Sequence, residues 1–311
     1  MSLPMKKQII TITLSLILVG AGCSKSAQKT IVNAPAAHDM PQADMHQGVH
    51  SETAHAKLAG SRLDLENRNS FKPGQVHFAF KLYGLDGHEF GADELKVAHE
   101  KKMHFIVVRD DLQGFQHLHP EYTNGKWSVG TTIADEGQYN VYIDIEPTEE
   151  RPVTLRVPVT IGKPETAKQF PAPNKDMKAQ NGSYDVALQI SQPLHAGEDV
   201  PLAFAVTNKG KPESNLQPYL GAFGHVVLLR EGEADDYFHV HPVTVEKPTD
   251  GIVKFEASFP EAGRYTLFAQ FNTTAGVKTF PITVDVAAIS ESGDHTQGAA
   301  SAPTDMGHAQ H

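Results

Sequence analysis

One cysteine, Cys23, and one tryptophan, Trp127, stand in a chain of 311 residues. A lone cysteine excludes a disulfide framework and every multi-cysteine metal site of the zinc-ribbon or iron–sulfur kind. Basic residues are in deficit: 27 Lys and Arg against 37 Asp and Glu leave a formal net charge of −10. Such a surface is a poor partner for nucleic acid. There is no Gly-x-Ser-x-Gly elbow, no His-Glu-x-x-His and no Gly-rich phosphate loop, so the expectation is a protein that is not an enzyme. Histidine is the residue in excess, 17 of them and unevenly placed. With 40% hydrophobic residues, the chain has material for about two domains of ordinary size.

A charge-free apolar run from Ile9 to Val19 follows Lys6 and Lys7 and leads through Gly20, Ala21 and Gly22 to Cys23. Residues 1–22 therefore read as a signal peptide, too short to span a bilayer. A sole cysteine at the cleavage point resembles the lipobox of bacterial lipoproteins, although Gly20 stands where that family usually has Leu. The resemblance implies lipidation of Cys23. Because Ser24 follows, and not an acidic residue, it also implies sorting to the outer membrane of a diderm bacterium, on the periplasmic side. The alternative is an ordinary signal peptide followed by a chance cysteine.

Residues 23–60 and 288–311 are rich in Ala, His, Gln, Asp and Met and poor in large apolar residues, so both read as disordered tails. The stretch between them repeats itself. Met103-His104-Phe-Ile-Val-Val-Arg109, Phe115-Gln-His117-Leu-His119-Pro120 and Gly137-Gln-Tyr139 are answered in order by Gly224-His225-Val-Val-Leu-Leu-Arg230, Tyr237-Phe-His239-Val-His241-Pro242 and Gly263-Arg-Tyr265. Short β-branched and aromatic runs alternate with turn signals such as Asn124-Gly125 and Lys209-Gly210, and no stretch sustains a helical period. The expected architecture is all-β: two tandem immunoglobulin-like antiparallel β-sandwiches at 61–162 and 183–287, joined by a linker at 163–182. The two Gly-x-Tyr segments resemble the tyrosine corner of such domains, and Trp127, replaced in the second copy by Val253 or its neighbour, reads as core.

Residues two apart on a strand share a face, so His117 with His119, and His239 with His241, each present two imidazoles side by side. A hairpin that pairs His104 with His119 has the four-residue loop Asp110 to Gln113. One that pairs His225 with His241 sets Arg230 opposite Asp236 around five residues. Three imidazoles then meet on one face of each domain. Such a trio suits Cu(II), Zn(II) or Ni(II), with copper favoured by the divalent-metal order and zinc not excluded. Against this, Ile106 and Val108, or Val227 and Leu229, share the histidine face, so the rings could equally serve as hydrogen-bonding struts. In the tails, Met40, Met45 and Met306 lie close to His38, His46 and His308, a donor mixture suited to Cu(I) or Ag(I).

The Met-His-apolar strand, the Asp-rich turn and Phe-Gln-His-Leu-His-Pro resemble bacterial secreted domains of the YtkA-like and heavy-metal-associated immunoglobulin-like kind. The likeness covers both repeats and is centred on His-x-His-Pro with its upstream His. Such modules resemble copper-handling envelope proteins of the CopC type in fold class. A lipidated Cys23 would leave no N-terminal His, so the copper-binding residues of that type cannot be carried over. The resemblance implies an envelope β-sandwich; together with Cys23 and the histidines, the expectation is a lipid-anchored envelope protein that sequesters or delivers copper, with an envelope metal-transport protein as partner. The competing reading is a non-catalytic immunoglobulin-like interaction module with structural histidines. Replacing Cys23 with Ser is expected to release the protein from membranes, because the lipid would be its only apolar anchor. Unchanged membrane fractionation of the C23S variant would defeat the lipoprotein reading.

Overall fold

In the segment Gly74–Tyr83, Val76, Phe78, Phe80 and Leu82 are buried while Gln75 and His77 are exposed, the two-residue period of a strand with one face on a core. The computed structural model describes residues 62–67, 70–164, 168–190, 193–244 and 246–288. All regular elements among them are strands. The signal peptide 1–22, the lipidation site Cys23, the tail 23–60 and, from residue 289 onward, the C-terminal tail lie outside the described residues. No described helix is long and apolar enough to cross a membrane.

The first sandwich contains β1 (Arg62–Leu65), β2 (Gly74–Tyr83), β3 (Met103–Arg109), β4 (Gln116–Leu118), β5 (Glu121–Thr123), β6 (Lys126–Ile133), β7 (Gly137–Ile145) and β8 (Val153–Ile161). Its two antiparallel sheets run β1-β2-β6-β5 and β4-β3-β7-β8. The second contains β9 (Lys178–Asn181), β10 (Tyr184–Gln189), β11 (Asp199–Asn208), β12 (Lys211–Pro212), β13 (His225–Arg230), β14 (Glu233–Val240), β15 (Ile252–Ser258), β16 (Gly263–Thr273) and β17 (Gly276–Val286). One sheet runs β12-β11-β10-β9, with β15 also on β11, and the other runs β14-β13-β16-β17. The fold is two tandem immunoglobulin-like sandwiches. β9 falls inside the segment expected to be linker. Its residues pair with β10, so the second sandwich starts before residue 183.

Both tyrosine corners form: Tyr139 Oη donates to Asp135 O at 3.0 Å and Tyr265 Oη to Glu261 O at 2.9 Å. Trp127 is buried and donates from Nε1 to Phe90 O at 2.9 Å. It stands opposite Phe80 as Val253 stands opposite Phe204, which fixes Val253 as its counterpart.

β3 and β13 depart from alternation, being buried at every position but the terminal Arg. Met103, Phe105 and Val107 enter the first sandwich core, and Val226 and Leu228 the second. The opposite faces, carrying Ile106 and Val108, or Val227 and Leu229, meet in one shared apolar cluster between the repeats. Aromatic stacks flank it. Phe115 lies on Phe268 at 4.2 Å between centroids and 8° between planes, and Tyr142 on Tyr237 at 4.5 Å and 11°. Phe115 and Tyr237 are repeat counterparts, as are Tyr142 and Phe268, so the two stacks are the same contact made twice about a pseudo-two-fold axis. The connecting segment is tied in as well: Phe170 packs on the cluster and Gln113 Nε2 donates to Gln169 O at 2.8 Å.

Each corner hydrogen bond should contribute about 1 kcal/mol. Tyr265→Phe keeps the ring in the core and loses only the donor, so its melting temperature should fall by roughly 2–4 °C. No change by calorimetry would show the corner bond to be replaceable by water.

Candidate metal centre

The first hairpin has the register its spacing predicts. Phe105 pairs with Leu118 and Ile106 with His117, which sets His104 level with His119, their ring centroids 5.3 Å apart. In the second, Val226 pairs with Val240 and Val227 with His239, setting His225 level with His241 at 5.1 Å. The expected five-residue loop is corrected there. A bulge between Leu229 and Arg230 makes Arg230 pair with Glu233, so a two-residue turn remains, with Gly232 at φ 80° supplying the left-handed position. Arg230 still reaches Asp236, as an ion pair. The proline ending each His-x-His-Pro lacks an N–H and stops the ladder; after Pro120 the chain crosses to the other sheet as β5.

Because the histidine faces are also the faces the repeats bury against each other, the six histidines form one nest instead of two domain-borne sites. His104 and His239, from different repeats, have centroids 5.1 Å apart, and His117 and His239 5.4 Å. One expected trio, His225, His239 and His241, is compact, its ligand atoms within 4.8 Å of one another. The other is not: His104 and His117 take His239 of the second repeat as their third member, in place of His119. The second repeat keeps its own trio, whereas the first repeat's pair is completed from across the interface.

His99 also belongs to the nest, and sequence reasoning passed over it. Its ring stacks on His241 at 3.5 Å and 12°. It occupies a tight turn, Ala98–Lys101, with φ 49° at His99 and 64° at Glu100. The matching turn of the second repeat holds Leu220 and Gly221, so comparison of the repeats gave no histidine to align with it.

The rings are oriented by acceptors on their far sides. His104 Nε2 donates to Ala98 O at 3.2 Å and His225 Nε2 to Tyr219 O at 3.0 Å, the same turn carbonyl in each repeat. The other two bonds cross between repeats: His117 Nδ1 donates to Gln270 Oε1 at 2.7 Å and His239 Nδ1 to Asp144 Oδ2 at 3.0 Å. Gln270 is opposite His225 and Asp144 opposite His104, so these too are counterparts. A neutral imidazole has one N–H. With that N–H spent outward, His104 Nδ1 and His117 Nε2 face each other as bare lone pairs at 3.1 Å, and His225 Nδ1 and His239 Nε2 at 3.4 Å. His119 Nε2 and His241 Nε2 are buried with no hydrogen-bond partner.

A family model described as Domain of unknown function (DUF8832) matches residues 56–162 and again 178–288, more than half of the chain. The chain belongs to that family. No curated protein matches it significantly. Among solved structures, the FdeC adhesin of Escherichia coli is similar at 11% identity and TM-score 0.26, over 73% of this chain and 64% of that one. The fibronectin(III)-like modules of Clostridium thermocellum CbhA are similar at 10% and 0.21, over 80% and 100%, and the Escherichia coli alpha-2-macroglobulin at 13% and 0.23, over 73% and 15%. In this DUF8832 chain the repeat matched twice by the family model is the unit that brings one upstream histidine and one His-x-His-Pro to the nest.

Burial keeps the DUF8832 nest uncharged. It pushes His225 down to about 4 and His119 to about 3, with neighbouring imidazoles adding repulsion. His117 and His239 are driven well below the usual value by burial first and by the other rings second, and His104, His241 and His99 are lowered too. Burial raises the Asp144 carboxyl, while hydrogen bonds from Thr154 and Tyr237 oppose the rise. Folded values below the unfolded value of about 6.5 mean that the unfolded chain binds more protons under that pH. Stability is thus fully present above pH 6.5 and lost as pH falls toward 4. In a chelator the melting temperature should drop by several degrees between about pH 7 and about pH 4.5. A flat profile over that window would show the rings to be solvated.

Proposed function

We propose that this chain is a non-catalytic tandem immunoglobulin-like module that binds a borderline divalent cation, Cu(II) or Zn(II), in the histidine nest between its repeats. The observation that carries the reading is the pair of opposed lone pairs at 3.1 and 3.4 Å, whose N–H groups are spent on fixed acceptors. Neither a proton nor a water is needed to explain a pair of bare nitrogens at that distance if a cation sits against both. Nitrogens bound to one ion at about 2.0–2.1 Å in tetrahedral geometry stand roughly 3.3 Å apart. His241, whose Nε2 is buried without a hydrogen-bond partner, belongs to the compact trio that contains the second pair. Outward hydrogen bonds to a carboxylate, an amide and two backbone carbonyls are the partners that orient metal-bound imidazoles. The all-nitrogen donor set suits divalent copper or zinc, with copper higher in the affinity order.

The sequence supports an envelope setting: a signal-peptide-like segment and Cys23 imply a lipid-anchored protein on the periplasmic side. There, Met/His tails suited to Cu(I) or Ag(I) and an envelope metal-transport partner would make the chain a sequestering or delivering protein. A second reading is an interaction module with structural histidines. The same outward hydrogen bonds favour it, since Asp144–His239 and Gln270–His117 already tie the repeats together without an ion.

Thermal melts separate the two. If the nest binds metal, Zn(II) or Cu(II) at about a hundredfold excess over Kd should raise the melting temperature by roughly 5–10 °C, because an ion stabilises only the state that binds it. His239→Ala with His241→Ala should abolish that rise. If the rings are struts, the double variant should lower metal-free stability by about 1–3 kcal/mol with no dependence on metal. Tail histidines do not confuse the result, since binding that persists on unfolding produces no shift. No metal-dependent rise in the unmutated chain would leave the interaction module as the reading.

A further inference from the structure

We propose that the nest holds one divalent ion at a time, in either of two three-imidazole positions that share His239 as their pivot; the proposal rests on the metal-binding reading above. The two compact trios are His104, His117 and His239, and His225, His239 and His241. They are not independent, because His239 is a member of both. A neutral imidazole carries one lone pair and one N–H. The N–H of His239 is committed to Asp144 Oδ2 at 3.0 Å. Asp144 is itself fixed by Tyr237 Oη at 2.5 Å and Thr154 Oγ1 at 2.6 Å, so the ring cannot readily turn its N–H elsewhere. One lone pair serves one ion. Filling both trios together would require His239 to lose its second proton as well.

Charge argues the same way. Among the described residues, Asp144 is the carboxylate hydrogen-bonded to the nest. Two dications side by side in a buried site would face one negative charge and strong mutual repulsion at low effective dielectric. A single ion leaves a far smaller excess.

The two positions differ in what they join. The first takes His104 and His117 from one repeat and His239 from the other, bridging the interface, whereas the second lies wholly within repeat two. An ion passing between them exchanges two ligands and keeps the third. The nest is then a short relay, with His239 as the ligand that is never released. His119, whose Nε2 is buried and unpartnered, belongs to neither compact trio and stands beside the first, 5.3 Å from His104 between centroids.

Titration of the full chain with Co(II) tests this, since cobalt gives intense ligand-field bands in tetrahedral nitrogen sites and weak ones in the six-coordinate sites that exposed histidines form. The intense bands should saturate at one equivalent per chain. His239→Ala should abolish them. His117→Ala and His241→Ala should each retain one equivalent, with two different spectra that report the two positions singly. Saturation at two equivalents in the unmutated chain would overturn the shared pivot and leave the metal-binding reading intact. Identical spectra for His117→Ala and His241→Ala would overturn the two positions. Absence of intense bands at any ratio would remove the metal-binding reading and the pivot with it. The stoichiometry is read on the unmutated chain, so the test does not depend on whether His239→Ala folds.

Discussion

Burial of one sheet face of each sandwich against the other is the constraint on which the rest of this molecule depends. A β-sandwich ordinarily buries one face of each sheet and leaves the other wet. Here β3 and β13 are covered on both sides, and the second cover is the other repeat. Ile106, Val108, Val227 and Leu229 make the apolar centre of that contact, with the Phe115–Phe268 and Tyr142–Tyr237 stacks on its flanks. The same faces carry His104, His117, His225 and His239, so the apolar contact drags the imidazoles out of water together. Their depressed proton affinity, their shared nest and their cross-repeat bonds all follow from that one packing event.

A buried neutral ring must direct its N–H at an acceptor, and the fold provides one for each of the four central rings. Two acceptors come from equivalent tight turns, at Ala98 and Tyr219. Two come from the strands β7 and β16, each reaching the histidine of the opposite repeat. The arrangement is reciprocal because duplication placed the same unit on both sides of a pseudo-two-fold axis. It is also imperfect. Asp144 carries a charge where Gln270 carries none, and His99 has only Leu220 as its counterpart. The rings are correspondingly asymmetric: His239 lies 5.1 Å from His104 between centroids where the counterpart pair, His117 and His225, is 6.1 Å apart, and His99 stacks on His241 alone.

The family model matches the repeat, but the nest belongs to the pair. A single copy contributes an upstream histidine and a His-x-His-Pro on one strand face, and on its own that face would be partly solvated. The second copy supplies the covering surface, the crossed acceptors and the third ring for His104 and His117. Duplication therefore does more than double a site: it converts a surface feature into a buried one.

Much of this was legible in the residues themselves. The order of segments, the tyrosine corners at Tyr139 and Tyr265, the buried Trp127 and the registers that set His104 against His119 and His225 against His241 follow from two-residue periodicity and local turn chemistry, which act over a few residues. The bulge at Leu229/Arg230 and the early start of the second sandwich at β9 did not, because each depends on hydrogen bonds made across the sheet. The merging of two histidine faces was hinted at only by the unbroken burial-prone runs Phe105 to Val108 and Val226 to Leu229, which lack the polar alternation of a half-wet strand. Which face covers them is decided between segments more than a hundred residues apart. Local patterning determined that each repeat would raise its imidazoles on one face; only tertiary packing decided that the two faces would meet, since a surface is buried by whatever complementary surface reaches it and strand periodicity carries no record of that partner.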